Sequence, residues 1–255
     1  MINPYYEKDG IIIYNGDALE ILSLMQDTKF DLVLSDPPYG TTNCEWDNVP
    51  HLKKMWEILL LRANKTTPFV FTCSQPFTSK LVLSNEDLFK YEWVWHKNKA
   101  TGHLSSKLKP MKAHESICVF YEKQPTYNPQ GLIEKEVPTI SKGSRGKKQN
   151  GASGDVYRKA SKDAVQTHSN YPKSILKFDV DMKAEYHPTQ KPVALMEYFI
   201  NTYTNEGDII LDLFMGSGTT LVAAKKLKRK AVGIDIFQKY CDSAIKRLTL
   251  LDQKE

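Results

Sequence analysis

A short run of Asp, two Pro and Tyr follows an apolar segment early in the chain. The apolar segment covers residues 30–35, and the run is Asp36-Pro37-Pro38-Tyr39. If the substrate is an exocyclic amine on a planar base, the Asp36 carboxylate and a backbone carbonyl of the rigid Pro37-Pro38 unit would accept its two N–H hydrogens and free the nitrogen lone pair. Tyr39 would offer its ring to a base removed from its stack, or to a cationic methyl donor. A strand-ending turn explains the same residues, so the motif alone leaves both interpretations open.

A second motif lies near the carboxyl end, where residues 211–220 read Leu-Asp-Leu-Phe-Met-Gly-Ser-Gly-Thr-Thr. Gly216 and Gly218 allow a tight turn and a close approach to a ligand, and the predicted helix that follows presents free N–H groups to a negative group. The dinucleotide fingerprint requires a third glycine where this chain has Leu221. The motif therefore predicts a nucleoside ligand that carries a carboxylate. Asp235, which ends the next predicted strand, would accept ribose hydroxyls, although a plain surface aspartate fits as well.

Both motifs need strands that end beside them, and the hydrophobic pattern predicts such an α/β arrangement. Open α/β sheets place ligands at the carboxyl ends of their strands. Trp93 and Trp95 alternate with polar residues and are predicted to be strand core, and Leu60 is predicted to face the core of its helix. The pattern predicts strands at 10–15, 30–35, 68–73, 91–96, 116–121, 208–214 and 231–236, and helices at 17–25, 51–63, 76–83, 193–203, 219–227 and 238–251.

The composition, with 255 residues of which 41% are hydrophobic and 25% charged, excludes collagen-like, disulfide-scaffold and wholly disordered chains. No run reaches the roughly 18 apolar residues of a membrane span, and the first residues lack a signal-peptide pattern, so we expect a cytoplasmic protein. The four cysteines form no CxxC pair, and we expect buried thiols, no disulfide framework and no metal site. These cysteines are Cys44, Cys73, Cys118 and Cys241.

The positive charge of the chain is concentrated in its middle. The net charge is +5, but residues 96–191 contain 18 Lys and Arg against 9 Asp and Glu, a local balance of +9. Such a segment favours a polyanion partner, most often nucleic acid, although a solvated basic loop has the same composition. The basic excess lies in two segments, 97–112 and 123–183. The candidates for phosphate or guanine contacts are Arg145, Lys147, Lys148 and Arg158.

Four segments together give the chain a resemblance to a known family. They are Gly16-Asp17, Ser35-Asp-Pro-Pro-Tyr39, the run His-Pro-Thr-Gln-Lys-Pro at 187–192, and residues 212–220 with Asp235. In this order they resemble β-class S-adenosylmethionine-dependent DNA amino-methyltransferases, which act on adenine N6 or cytosine N4. The run at 187–192 is the segment most specific to this family. Local physical chemistry explains it only as a proline-bounded helix start, so its presence points to the family. The resemblance covers roughly 11–121 and 187–248 and leaves the basic segment unmatched.

The resemblance implies an α/β fold, the Rossmann-like seven-stranded methyltransferase sheet, circularly permuted so that the catalytic half comes first. Residues 1–121 would form that catalytic half, 122–186 a basic target-recognition insertion, and 187–255 the cofactor-binding half. The cofactor would be S-adenosylmethionine and the partner double-stranded DNA, in a restriction-modification setting. A homodimer is a further expectation.

The residue roles of the family fall on matching positions of this chain. Asp17 would bond the adenine edge of the cofactor, Asp235 its ribose, and the turn before the helix its methionine part. The catalytic set would be Asp36, Pro37, Pro38 and Tyr39. The cofactor-binding set would be Asp17, Asp36, Lys191, Asp212, Phe214, Gly216, Ser217, Gly218, Thr219 and Asp235.

An Asp rather than a Ser at position 36 favours adenine N6 over cytosine N4 in this family. A cytosine-N4 methyltransferase stays open as the alternative, as does a catalytically silent DNA-binding protein on the same fold. The recognition sequence of the DNA cannot be read, because specificity is expected to lie in the unmatched segment.

Overall fold

A computed structural model describes residues 2–25, 28–42, 44, 47–141, 164–181 and 190–253. The chain divides into two compact units, one formed by 1–128 with 174–255 and the other by 129–173. The strands, numbered along the chain, are β1 (Tyr6–Lys8), β2 (Ile11–Asn15), β3 (Leu32–Ser35), β4 (Phe69–Cys73), β5 (Phe89–Thr101), β6 (Lys112–Phe120), β7 (Ile133–Ser141), β8 (Ala164–Ser169), β9 (Ile175–Phe178), β10 (Ile209–Asp212) and β11 (Lys230–Asp235). The helices are α1 (Ala18–Leu24), α2 (Leu52–Leu61), α3 (Phe77–Leu83), α4 (Val193–Tyr203), α5 (Thr219–Lys226) and α6 (Gln238–Asp252).

One large sheet organises the first unit. Its order is β1-β2-β11-β10-β3-β4-β6-β5-β9, and the five strands from β2 to β4 run parallel. β6 is antiparallel to β4 and to β5. The predicted α/β fold is therefore confirmed, but the described sheet has nine strands where seven were expected. The two additional strands are edge strands: β1 pairs antiparallel with β2, and β9 pairs parallel with β5.

The last two strands of the chain, β10 and β11, lie inside the sheet between β3 and β2. The carboxyl ends of β2, β3, β10 and β11 consequently meet at one edge, where both sequence motifs begin. In open α/β sheets, ligands bind in a crevice at such an edge.

Helices cover both faces of the sheet, because alternate strand residues point to opposite sides. Leu32 and Leu34 pack in a cluster with α4, α5 and α6, whereas Val33 packs in the cluster that includes α1, α2 and α3. Trp93 and Trp95 are buried in the first cluster, as predicted. The prediction that Leu60 faces the core is wrong, since its side chain points to solvent.

Three of the four cysteines are buried as predicted, and Cys44 is not, because it lies in the exposed loop after the Asp-Pro-Pro-Tyr run. Within the described ranges, no helix is long and apolar enough to cross a membrane.

The second unit contains β7 and β8, which pair antiparallel. Neither strand, nor β9 of the first unit, was predicted from the sequence. Residues 142–163 lie outside the described residues, and so do the four candidate DNA contacts Arg145, Lys147, Lys148 and Arg158. The boundaries 122–186 of the target-recognition insertion stay a prediction.

Candidate functional site

A cavity of about 760 Å³ opens at the carboxyl ends of the parallel strands. It brings the two sequence motifs together, although they lie at opposite ends of the chain. Of the catalytic and cofactor-binding residues predicted from the sequence, Gly218 alone does not line the cavity. The lining includes Asp17, Asp36, Pro37, Pro38, Tyr39, Lys191, Asp212, Phe214, Gly216, Ser217, Thr219 and Asp235.

The Asp36 carboxylate lies directly after β3 and accepts hydrogen bonds from three side chains. Its Oδ1 accepts from the Tyr39 hydroxyl at 2.7 Å and from the hydroxyl of Thr72, which belongs to the neighbouring strand β4. Its Oδ2 accepts from Lys191 Nζ at 2.5 Å. The carboxylate is thus fixed in orientation at the wall of the cavity by donors from three separate segments of the chain.

Behind Lys191 lies a buried ionic network. Lys191 Nζ is 3.5 Å from Glu115 Oε2, and Glu115 also pairs through Oε1 with Lys97. The ammonium of Lys97 lies 4.8 Å from the ring centroid of Trp95. Burial alone would lower the pKa of Lys191, but the carboxylates of Asp36 and Glu115 outweigh it and raise that pKa. Two ammonium groups and two carboxylates therefore alternate in the order Asp36, Lys191, Glu115, Lys97.

Tyr39 is held from two directions. Its ring stacks on Phe77, with the centroids 5.6 Å apart and the planes inclined by 22°. Lys191 Nζ lies 5.6 Å from the centroid of the Tyr39 ring. Burial and the negative charge of Asp36 raise the pKa of its hydroxyl well above the usual value. The hydroxyl is therefore a neutral donor to Asp36 at physiological pH.

Two acids define the other side of the cavity. The Asp212 carboxylate accepts from Ser35 Oγ at 2.6 Å and from the Phe214 N–H at 3.2 Å, and burial raises its pKa to about 6. Asp235 accepts from the N–H groups of Gly216 and Phe237, each at 2.9 Å, and burial raises its pKa to about 6 as well. Asp235 thus closes the glycine turn onto the end of β11.

The glycine turn depends on packing as much as on ligand access. Gly218 has a φ of +74°, and a Cβ there would lie 2.6 Å from the Cβ of Ala244 in α6. Arg247, also in α6, donates to the Ser217 carbonyl at 2.8 Å and to the Thr219 hydroxyl at 2.9 Å. Gly218 therefore permits close contact between the turn and α6, which explains why it does not face the cavity.

Asp17 caps the helix that follows β2. Its Oδ1 accepts from the N–H groups of Leu19 and Glu20, each at 2.9 Å. An aspartate in this position stabilises a helix start by about 1 kcal/mol. The residue therefore has a structural role in addition to the cofactor contact that the resemblance implies.

Sequence reasoning missed Thr72, Lys97, Glu115 and Arg247. Lys97 was included in the basic stretch expected to face DNA, and this expectation is wrong for it, because it is buried and paired with Glu115. A signal was present in the sequence: Lys97 follows Trp93 and Trp95 at strand spacing and therefore shares their inward face. No comparable signal in the sequence identified Glu115 as its partner.

Similarity to known proteins extends over almost the whole chain. Residues 30–246 match the N6/N4 methyltransferase family, which is described as DNA methylase. Among curated relatives, the chain is 28% identical to the Type II methyltransferase M2.DpnII of Streptococcus pneumoniae, over 97% of this chain and 93% of the relative. It is also 28% identical to the Type II methyltransferase M.HpaI of Haemophilus parainfluenzae, over 91% of this chain and 72% of the relative.

Two solved structures also resemble this chain over most of its length. The structure of an M1.HpyAVI–SAM complex matches with a TM-score of 0.62 and 27% identity, over 93% of this chain and 99% of that chain. The PvuII DNA methyltransferase, described as cytosine-N4-specific, matches with a TM-score of 0.69 over 96% of this chain and 88% of that chain. At 16% identity, this second similarity shows the fold alone.

Proposed function

This chain belongs to the N6/N4 DNA methylase family, and on that basis we propose that it transfers a methyl group from S-adenosylmethionine to the N6 amine of adenine in double-stranded DNA. The observation that supports this most directly is the position of Asp36. Its carboxylate lies in one cavity with Asp17, Asp235 and the glycine turn, so a target amine and a nucleoside-type donor would fit side by side.

S-adenosylmethionine fits the residues that line the cavity. The volume of about 760 Å³ lies within the range of roughly 300–1,000 Å³ that is usual for small-molecule sites. Asp235 would accept from the ribose hydroxyls, Asp17 from the adenine amine, and the turn at 214–219 would hold the methionine part. The cofactor supplies a methyl group on a positively charged sulfur, which is already a strong electrophile.

Because the donor is reactive, the protein contributes mainly orientation and exclusion of water. The Asp36 carboxylate and the Pro37 carbonyl would accept the two N–H hydrogens of the target amine and so free its lone pair. Tyr39 would stack against the extruded base. Lys191 and Thr72 hold Asp36 in place, so that the accepting oxygens are oriented before the substrate arrives.

Adenine rather than cytosine is proposed because the residue at position 36 is Asp. The test is mass spectrometry of nucleosides from DNA that has been incubated with the protein and isotopically labelled S-adenosylmethionine. Labelled N6-methyladenine is expected. Labelled N4-methylcytosine without N6-methyladenine would overturn the choice of base, and no labelled base with any DNA tested would favour a silent DNA-binding protein.

Substitution of Asp36 tests its role directly. Asp36→Ala is expected to abolish methyl transfer but to weaken S-adenosylmethionine binding, measured by calorimetry, much less, because Asp17, Asp235 and the glycine turn are retained. Asp36→Asn is the matched control for size, because it keeps one accepting oxygen but loses the charge. Turnover retained by Asp36→Ala would refute the role assigned to this carboxylate.

The segment 122–186 is proposed to read the DNA sequence, with Arg145, Lys147, Lys148 and Arg158 as contacts to phosphates or guanines. The support is the excess of basic residues in the middle of the chain. A homodimer, an associated restriction enzyme and a cytoplasmic location stay predictions.

A further inference from the structure

An exposed loop at the rim of the cavity displays two leucines. The loop covers residues 102–111 and joins β5 to β6; it is called the leucine loop below. Leu104 and Leu108 are the two most exposed large apolar side chains of the described residues, at 102% and 88%. Such exposure is unfavourable in water by itself, and adjacent exposed apolar groups often mark an interaction surface.

The leucine loop is ordered by its own backbone. Ser105 N–H donates to Gly102 at 3.0 Å, and the N–H groups of Leu108 and Lys109 both donate to the Ser105 carbonyl, at 2.9 and 3.0 Å. Leu104 lies in the 3₁₀ turn His103–Ser105, and Leu108 lies in the turn that directly follows it. Both leucines are therefore displayed on a short segment that its own hydrogen bonds hold in place before any partner binds.

The position of the loop connects it to the cavity. Thr101 and Lys112, whose backbones pair at the end of the β5–β6 hairpin, both line the cavity, and so does Lys99. The loop thus begins where the cavity wall ends. A base that reached Asp36 from a duplex would leave its gap in the stack near this rim.

The positive charge of the leucine loop complements the negative charge of a DNA backbone. Lys107 and Lys109 flank Leu108, and residues 102–111 contain no Asp or Glu. An apolar side chain between lysines suits a base stack bordered by phosphates, because the lysines contact phosphates while the apolar group enters between base pairs.

We propose that Leu104 and Leu108 form a wedge that enters the duplex at the target base pair and fills the space left by the extruded base. The occupant of this surface is the base stack of the DNA substrate. The proposal rests on the proposed function, since it requires that the enzyme methylates a base taken out of duplex DNA. A wedge lowers the cost of unstacking and unpairing, so it matters most when the target is fully paired.

The test compares two substrates. Sequencing of DNA modified by the wild-type protein first gives the recognition sequence. One duplex then carries this sequence fully paired, and a second carries an abasic site opposite the target base, which removes its pairing. The double variant Leu104→Ala/Leu108→Ala is compared with the wild type, with Leu61→Ala as a control at another exposed leucine, which is 70% exposed.

The expected result is a substrate-dependent loss. With the paired duplex, single-turnover methylation by the double variant falls at least about tenfold, which corresponds to roughly 1.4 kcal/mol in the barrier, because nothing then fills the gap in the base stack. With the abasic duplex, the double variant stays within about twofold of the wild type. Leu61→Ala resembles the wild type on both.

The outcomes separate the two proposals. An unchanged rate with the paired duplex, or an equal loss with both duplexes, would overturn the wedge and leave the methyltransferase assignment standing. A wild-type protein that modifies no base in any DNA would overturn both. Thermal unfolding of the double variant, expected to match that of the wild type because both leucines are exposed, excludes a folding defect as the cause.

Discussion

The carboxylate of Glu115 is expected to be a major source of stability, because it separates two buried ammonium groups. Glu115→Gln keeps the size of the side chain and removes its charge. Lys97 and Lys191 would then face each other across a neutral amide, and Lys97 would lose the acid with which it pairs. Both lysines are less than one-tenth exposed, so water would compensate for little of that loss.

The pKa of Glu115 gives the magnitude. Burial alone would raise it, but the ammonium groups of Lys191 and Lys97 outweigh burial and lower the pKa from 4.5 to about 2. At about 1.36 kcal/mol per pKa unit, this shift corresponds to about 3 kcal/mol of stability. Removal of one partner of a buried ion pair costs about 3–5 kcal/mol in general, which agrees.

The pH dependence has a definite sign. Because the folded-state pKa is depressed, the contribution is fully present above about pH 4.5 and is lost as the pH falls toward 2. The difference in free energy of unfolding between the wild type and Glu115→Gln should therefore be constant from pH 5 to 7 and shrink below pH 4.5.

Urea unfolding at pH 7 checks the magnitude, and the same measurement at lower pH checks the sign. Glu122→Gln is the matched control, because Glu122 pairs with Lys65 at 2.8 Å on the surface, where both side chains are at least half exposed. A surface pair of this kind contributes about 0–1 kcal/mol. If Glu115→Gln is no more destabilising than Glu122→Gln, the interpretation of the buried network is refuted.

Two further predictions concern the ligands. Ribose hydroxyls donate to the ionised form of Asp235, whose pKa is about 6 in the free protein, so S-adenosylmethionine binding should weaken as the pH falls below 6. Calorimetry between pH 5 and 8 should show that Asp235→Asn binds more weakly at pH 7 and has a smaller pH slope; an equal slope would contradict the assignment. Charge reversal at Lys147 and Lys148 should weaken DNA binding and reduce its salt slope by about one for each phosphate contact removed, and an unchanged slope in fluorescence anisotropy titrations would argue against these contacts.

Much of the fold could be predicted because its strands and helices have clear hydrophobic periods. The apolar run at 30–35 gave β3, and its position before Asp36 predicted a catalytic carboxylate at a strand end. The glycine turn was predicted in the same way, from a strand that leads directly into a helix. In both cases a short contiguous segment contained all the information that the prediction needed.

The strands β7, β8 and β9 were missed for the opposite reason. Their residues alternate weakly, and many of them are exposed: Ile133, Ile140, Val165 and Ile175 all point to solvent. A strand with little buried surface has no strong period in its sequence, so its pairing depends on neighbours that the sequence does not identify.

The ionic network is the part of the site that could not be predicted from the sequence. The inward face of Lys97 follows from its spacing from Trp93 and Trp95, but its partner follows only from the register of β5 against β6, in which Trp95 lies opposite Glu115. A shift of one residue would turn Glu115 outward and leave Lys97 buried without a counter-charge. A buried, unpaired Lys97 would destabilise the fold, so the ion pair itself helps to select the register. The register in turn sets the position of Glu115, which contacts Lys191 beside Asp36. The orientation of the proposed catalytic carboxylate therefore depends on how β5 and β6 align, although neither strand contains Asp36 or Lys191.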